Sequence, residues 1–175
     1  SNGDDLPADA LGMHRALVQP FHEGTPMSAS VLVGRDGQIH LLTMGLQKIE
    51  RHEGRFSYHG GVIPVGCPGA EAAVKQAAGS IPGLAGFVGV DFLWDGDRGE
   101  AVVIEINPRL TTSFVGLCGL LPPGRLASAW LAAWGVEGFT QADCREAAEL
   151  LANAPPIHFD FDGHPRETVE QEPVS

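Results

Sequence analysis

Two acids and an amide stand out because of where they sit. In Glu100–Asn107 (EAVVIEIN), Glu105 and Asn107 are two residues apart, so in a strand they point to one face of an otherwise apolar run. In the preceding run Gly86–Trp94 (GFVGVDFLW), Asp91 is the lone charge. An ionised carboxylate on a mostly buried strand is costly unless something compensates it. The two runs flank Asp95-Gly96-Asp97-Arg98-Gly99, turn chemistry that folds them into an antiparallel hairpin and brings the three side chains together. Two carboxylates and an amide oxygen, with no sulfur or imidazole, make a set for a hard cation, Mg²⁺ far better than zinc, with Mn²⁺ as its substitute. The plainer alternative is that Asp91 and Glu105 form ion pairs with Arg98 or Arg109 at a solvated sheet edge.

The elements that must position this hairpin follow from the flanking sequence. Met27–Val33 and Gln38–Leu46 surround Gly34-Arg35-Asp36-Gly37, a second hairpin signal. Phe56–Ile63 reads as a strand or ordered loop. Pro68-Gly69 opens an alanine-rich helix to about Ser80. Beyond Pro108, helices are expected around Thr112–Leu121, Arg125–Trp134 and Gln141–Asn153, then a short strand Ile157–Phe161. The class is α+β, an antiparallel sheet with helices on one side. The three tryptophans and Cys118 read as core. Residues 1–14 form a polar lead-in, 15–160 the lobe itself and 161–175 an acidic tail.

Composition narrows the function. The net charge of −11 argues against nonspecific nucleic-acid binding, which needs a basic footprint. No apolar run approaches the roughly 20 residues of a membrane helix, so no membrane partner is expected. Cys67, Cys118 and Cys144 are odd in number and widely spaced, which suits reduced thiols in the cytoplasm.

Four blocks carry a resemblance. Glu105-Ile106-Asn107-Pro108-Arg109-Leu110-Thr111-Thr112-Ser113, preceded by Gly89-Val90-Asp91-Phe92, resembles the metal-binding end of the ATP-grasp superfamily. Val18-Gln19-Pro20-Phe21-His22-Glu23-Gly24 with Ser28-Ala29-Ser30 is similar to its interlobe segment and the strand after it. Gln47, and Phe56-Ser57-Tyr58-His59-Gly60-Gly61 followed by Pro64, resemble the middle of a carboxylate–amine ligase branch that includes tyramine–glutamate ligase-like enzymes. The likeness is strongest over 15–120.

The resemblance implies that ATP and Mg²⁺ are bound, and that a small carboxylic acid is phosphorylated and then joined to an amine, releasing ADP. It implies Asp91, Glu105 and Asn107 at the metal, and Arg109 on a phosphate or the acyl-phosphate oxyanion. Gln19 and Phe21 would lie by the adenine, with Leu93 pressing on the ring. Ile104 is placed there too, although simple alternation turns it away from Glu105. Glu23 would stand in for the acid that takes the ribose. Thr111, Thr112 and Ser113 would line the substrate pocket, plain N-capping being the alternative.

The likeness is to the C-terminal lobe alone. No glycine-rich flap precedes residue 15, and Lys48 and Lys75 lie downstream of the interlobe segment, not where the family's phosphate-binding lysines stand. Residue 1 is not Met. The chain is therefore expected to be a piece of a longer protein, inactive by itself, whose partner is the N-terminal lobe. Two other readings are an ATP-grasp carboxylase or kinase-like relative and a non-catalytic α+β interaction or regulatory domain.

Overall fold

The computed structural model describes residues 20–160 and the two-residue strand Pro165–Arg166; Gln19, most of the tail and the whole lead-in lie outside them. Seven strands form one antiparallel sheet: β1 (Thr25–Val33), β2 (Ile39–His52), β3 (Arg55–Ile63), β4 (Gly86–Asp95), β5 (Glu100–Asn107), β6 (Ile157–Phe159) and β7 (Pro165–Arg166). Their order is β5-β4-β1-β2-β3-β6-β7. The helices are α1 (Glu71–Gly79), α2 (Ser113–Leu120), α3 (Arg125–Ala133) and α4 (Gln141–Ala152). No described helix is long and apolar enough to cross a membrane.

Strand β1 lies inside the sheet and is nearly continuously buried from Met27 on. Met27, Ala29, Val31 and Val33 alternate onto one face, where they pack with Val88, Val90 and Phe92 beneath Val74 and Ala78 of α1. Leu32 points the other way, into a core with Phe87, Leu117 of α2, Ala129 of α3 and Leu151 of α4. The α+β class and the antiparallel sheet are as the sequence implies. The helices do not all share one side, however: α1 takes the face opposite α2–α4, because β1 presents Met27, Ala29, Val31 and Val33 to α1 and Leu32 to the core of α2–α4.

Local chemistry explains the boundaries. The β1–β2 turn closes with Gly37 in the left-handed region (φ 80°) and Asp36 Oδ1 accepting from the Gln38 N–H at 3.0 Å. Helix α4 starts in a capping box, Thr140 Oγ1 accepting from the Ala142 N–H at 3.3 Å while the Thr140 N–H donates to Asp143 Oδ2 at 2.8 Å. Its Cys144, Ala147 and Leu151 form the buried stripe.

Three expectations fail locally. Strand β2 runs six residues past Leu46, because Glu53 (φ 49°) and Gly54 (φ 78°) make a two-residue reversal that pairs His52 with Arg55. Cys118 faces solvent on α2, whereas Cys67 and Cys144 are buried. Trp134 is 42% exposed, with the Arg35 guanidinium 5.1 Å above its ring.

Candidate functional site

On β4 the side chains of Phe87, Asp91 and Leu93 share one face, at two-residue spacing with Gly89 between them. Phe87 is sealed by Phe114 of α2 and Trp130 of α3, with ring centroids 5.9 and 6.0 Å away. No helix covers the other end of that face. There a cavity of about 980 Å³ opens, with Asp91 and Leu93 on its floor. Strand β5, the start of β1 and the segment leading into it, the outer half of the β2–β3 hairpin, and the turn between β5 and α2 supply the rest of its lining.

The hairpin register sets Asp91 directly opposite Glu105 and Gly89 opposite Asn107. Asp91 is held from two sides: Gln47 Nε2 donates to its Oδ1 at 2.8 Å and Asn107 Nδ2 to its Oδ2 at 3.0 Å. Asn107 is buried, while Glu105 is exposed to the cavity. Burial first, then the Glu105 charge, push the Asp91 carboxyl above the usual aspartate range, opposed by the two amide donors and by Arg109. No ion pair among the described residues includes Asp91 or Glu105. Arg98 turns instead to Asp95, 3.6 Å away, and Arg109 donates to the Leu110 carbonyl at 3.2 Å. The two acids are thus a like-charged pair that no ion pair among the described residues bridges, Arg109 acting on Asp91 only from beyond ion-pair distance, and with the Asn107 carbonyl oxygen they fit a hard divalent cation.

Ile104 resolves a conflict in the sequence. Between Asp91↔Glu105 and Phe92↔Val103 the register slips, so Ile104 is the extra residue of a β-bulge. The bulge turns both Ile104 and Glu105 onto the cavity, which strict alternation forbids. Ile104 stands 44% exposed there, facing the same space as Leu93.

The turn after β5 brings Arg109, Thr111, Thr112 and Ser113 to the same cavity. It approaches β4 closely, since a Cβ on Gly89 would overlap the Thr111 methyl. Helix α2 has no side-chain cap, so the hydroxyls are not spent on capping. Ser113 Oγ lies 2.9 Å from Thr111 Oγ1 and 3.0 Å from buried Ser30 Oγ, and the Thr112 hydroxyl lies near the Tyr58 phenol. Burial pushes the Tyr58 phenol up to about 12, with the Asp91 charge adding to it and the Thr112 hydroxyl opposing. Phe21 and Glu23 also line the cavity; Gln19 lies outside the described residues.

Sequence reasoning missed one wall. Ile49, Arg51, Phe56 and Tyr58, on the outer β2–β3 hairpin, all face the cavity, and the Arg51 guanidinium sits 5.3 and 5.8 Å from the Phe21 and Phe56 rings. The signal was the alternation of Gln47, Ile49 and Arg51 leading into Glu53-Gly54. Lysine is absent from the lining, and Lys75 pairs with Glu71 on α1 at 2.6 Å.

Known proteins match the same part of the chain. A model of the ATP-grasp domain matches residues 2–113. The tyramine–L-glutamate ligases of Methanocaldococcus jannaschii and Methanocaldococcus fervens are 33% and 34% identical over 104 residues, 58% of this chain. The chain spans about a third of their length, 31% and 33%. Among solved structures, the phosphoribosylaminoimidazole carboxylase ATPase subunit of Aquifex aeolicus is 20% identical with a TM-score of 0.46, over 57% of this chain and 30% of that one. An L-amino acid ligase of Bacillus licheniformis is 22% identical with a TM-score of 0.45, over 56% and 25%. With the family model covering well over half of its 175 residues, the chain belongs to the ATP-grasp family.

Proposed function

We propose that this chain is the cation-bearing C-terminal lobe of an ATP-dependent carboxylate–amine ligase. The observation that carries the reading is the like-charged Asp91–Glu105 pair, in no ion pair among the described residues, beside Asn107 on the cavity floor. The likeness to the two tyramine–L-glutamate ligases supports the reaction class.

Asp91, Glu105 and Asn107 would hold Mg²⁺, or Mn²⁺ in its place. When bound, the ion neutralises charge on the transferred phosphoryl group and orients it. In the proposed reaction a substrate carboxylate oxygen bonds to the terminal phosphorus of ATP as the bond to the bridging oxygen breaks and ADP leaves. The amine then attacks the acyl carbon and phosphate departs. Arg109, whose planar guanidinium suits phosphate oxygens, would stabilise the acyl phosphate. Leu93, Ile104 and Phe21 offer an apolar surface for the adenine, and Glu23 a carboxylate for the ribose. Thr111, Thr112, Ser113 and Tyr58 would line the space for the acid and amine.

Among the described residues the arginines of the lining are Arg51 and Arg109, with no lysine, so the phosphate-holding lysines would lie on another lobe of the same protein, in keeping with the greater length of the relatives. The proposal further places the enzyme in the cytoplasm, where its three unbridged cysteines would stay reduced.

Calorimetric titration of this chain with Mg²⁺–ADP, beside its Glu105→Ala variant, tests the reading. Saturable binding that the variant loses is the expected result. Binding that survives in Glu105→Ala would sink the cation assignment. If neither protein binds, the lobe is no self-contained half-site, and the full-length parent separates a ligase from a non-catalytic domain.

A further inference from the structure

We infer that Gln47 is a positioning residue for the cation site, holding Asp91 in the orientation in which it receives the ion. The inference rests on the cation reading above. Gln47 belongs to β2, Asp91 to β4, and β1 runs between them. Neighbouring strands stand about 4.8 Å apart, so side chains two strands apart meet only by leaning toward each other over a small residue. Ser28 of β1, paired with Asp91 on one side and on the other with Gly45, two residues before Gln47, is that residue, so Gln47 reaches Asp91 on a diagonal over it. Gln47 Nε2 crosses this gap to reach Asp91 Oδ1 at 2.8 Å.

The consequence is an asymmetry between the two acids. Asp91 takes a donor on each oxygen, Gln47 from the β1 side of β4 and Asn107 from the β5 side. A carboxylate offers about four acceptor directions, so this fixes its plane and leaves the remaining lone pairs for the ion. Glu105, exposed and directly opposite, has no such support among the described residues. Asp91 is therefore the pre-set ligand and Glu105 the adaptable one, and Gln47 is what pre-sets the first. Partners of this kind tune metal affinity without touching the metal.

The reach is specific. Asparagine would fall short by one carbon–carbon bond, about 1.5 Å, and leucine keeps the bulk without the donors. Mn²⁺ titrated into the 175-residue chain, with the free ion read by electron paramagnetic resonance, tests this on Gln47→Asn and Gln47→Leu, with urea unfolding run on each. Both variants are expected to bind Mn²⁺ about tenfold more weakly, while their unfolding midpoints stay near that of the unaltered chain. A purely structural role would move the midpoint and leave the affinity alone, and would overturn the inference. Should Gln47→Leu fail to fold, Gln47→Asn, which keeps the amide, carries the test. Variants that bind Mn²⁺ as tightly as the unaltered chain overturn the positioning role alone; an unaltered chain that binds none overturns the cation reading and this inference with it.

Discussion

Phe87 and Asp91 lie four residues apart on the same face of the same strand, yet one is sealed core and the other the floor of an open cavity. Phe87 is 3% exposed beneath Phe114 and Trp130. Asp91 is half-buried, bonded to two amides and faced by a second acid. Gly89 sits at the border. With no side chain it lets Thr111 close onto the sheet, so the chain leaves β5, turns past the acids and then starts α2, which covers Phe87. The sheet is the same at both ends; what differs is where the covering layer stops. Apolar packing is concentrated at the sealed end and two facing like charges at the open one, a separation that rigid scaffolds use to carry functional sites.

The comparison breaks most visibly at the sealed end. Phe87→Ala removes a buried ring from the α2–α3 contact and is expected to cost about 3–5 kcal/mol in urea unfolding. An equal loss from Glu105→Ala, at the open end, would show that the two ends are not energetically distinct. The border should respond in between. In Gly89→Ala the added methyl meets the Thr111 methyl, and overpacking of this kind costs about 1–3 kcal/mol. If Gly89→Ala unfolds with the unaltered chain, the close approach of the turn is not what sets the border.

Much of this architecture could be read from the sequence because both ends of β4 announce themselves locally. The apolar run with one acid, the Asp-Gly turn and the Glu-x-Asn spacing gave the hairpin, and alternation put Asp91, Leu93, Glu105 and Asn107 on one face. Ile104 escaped alternation because a bulge adds a residue that no periodicity encodes. The β2–β3 extension was lost for a different reason. Its residues are mostly exposed and charged, so the apolar signal for a strand fades after Leu46, although the backbone pairing continues to His52. Cys118 and Trp134 misled by composition: both lie in apolar stretches, but each sits on the outer side of its helix. The Gln47–Asp91 bond spans 44 residues and an intervening strand, a relation that spacing along the chain does not contain.

The smallest expected effect is the most diagnostic of the open end. Glu105→Gln keeps the shape of the side chain and removes one of two facing charges. Like charges directly opposite across strands cost about 0.2–1 kcal/mol, so the cation-free variant should be more stable than the unaltered chain by that much at pH 7. The pH dependence carries the sign. Asp91 has a folded-state pKa raised above its unfolded value, chiefly by burial and then by Glu105. Between those two values the native state holds the proton more tightly, so stability falls as pH rises through the window. The penalty is full above the raised pKa and is relieved as acid carries the solution back through it. Glu105→Gln removes the second cause and leaves the first. The stability difference between variant and unaltered chain, measured by urea unfolding in the presence of a chelator, should therefore be largest above the raised pKa and shrink on acidification through it. A difference that stays constant with pH would mean that the two carboxylates do not sense each other, and the open end would lose the like-charge pair that argues for a cation.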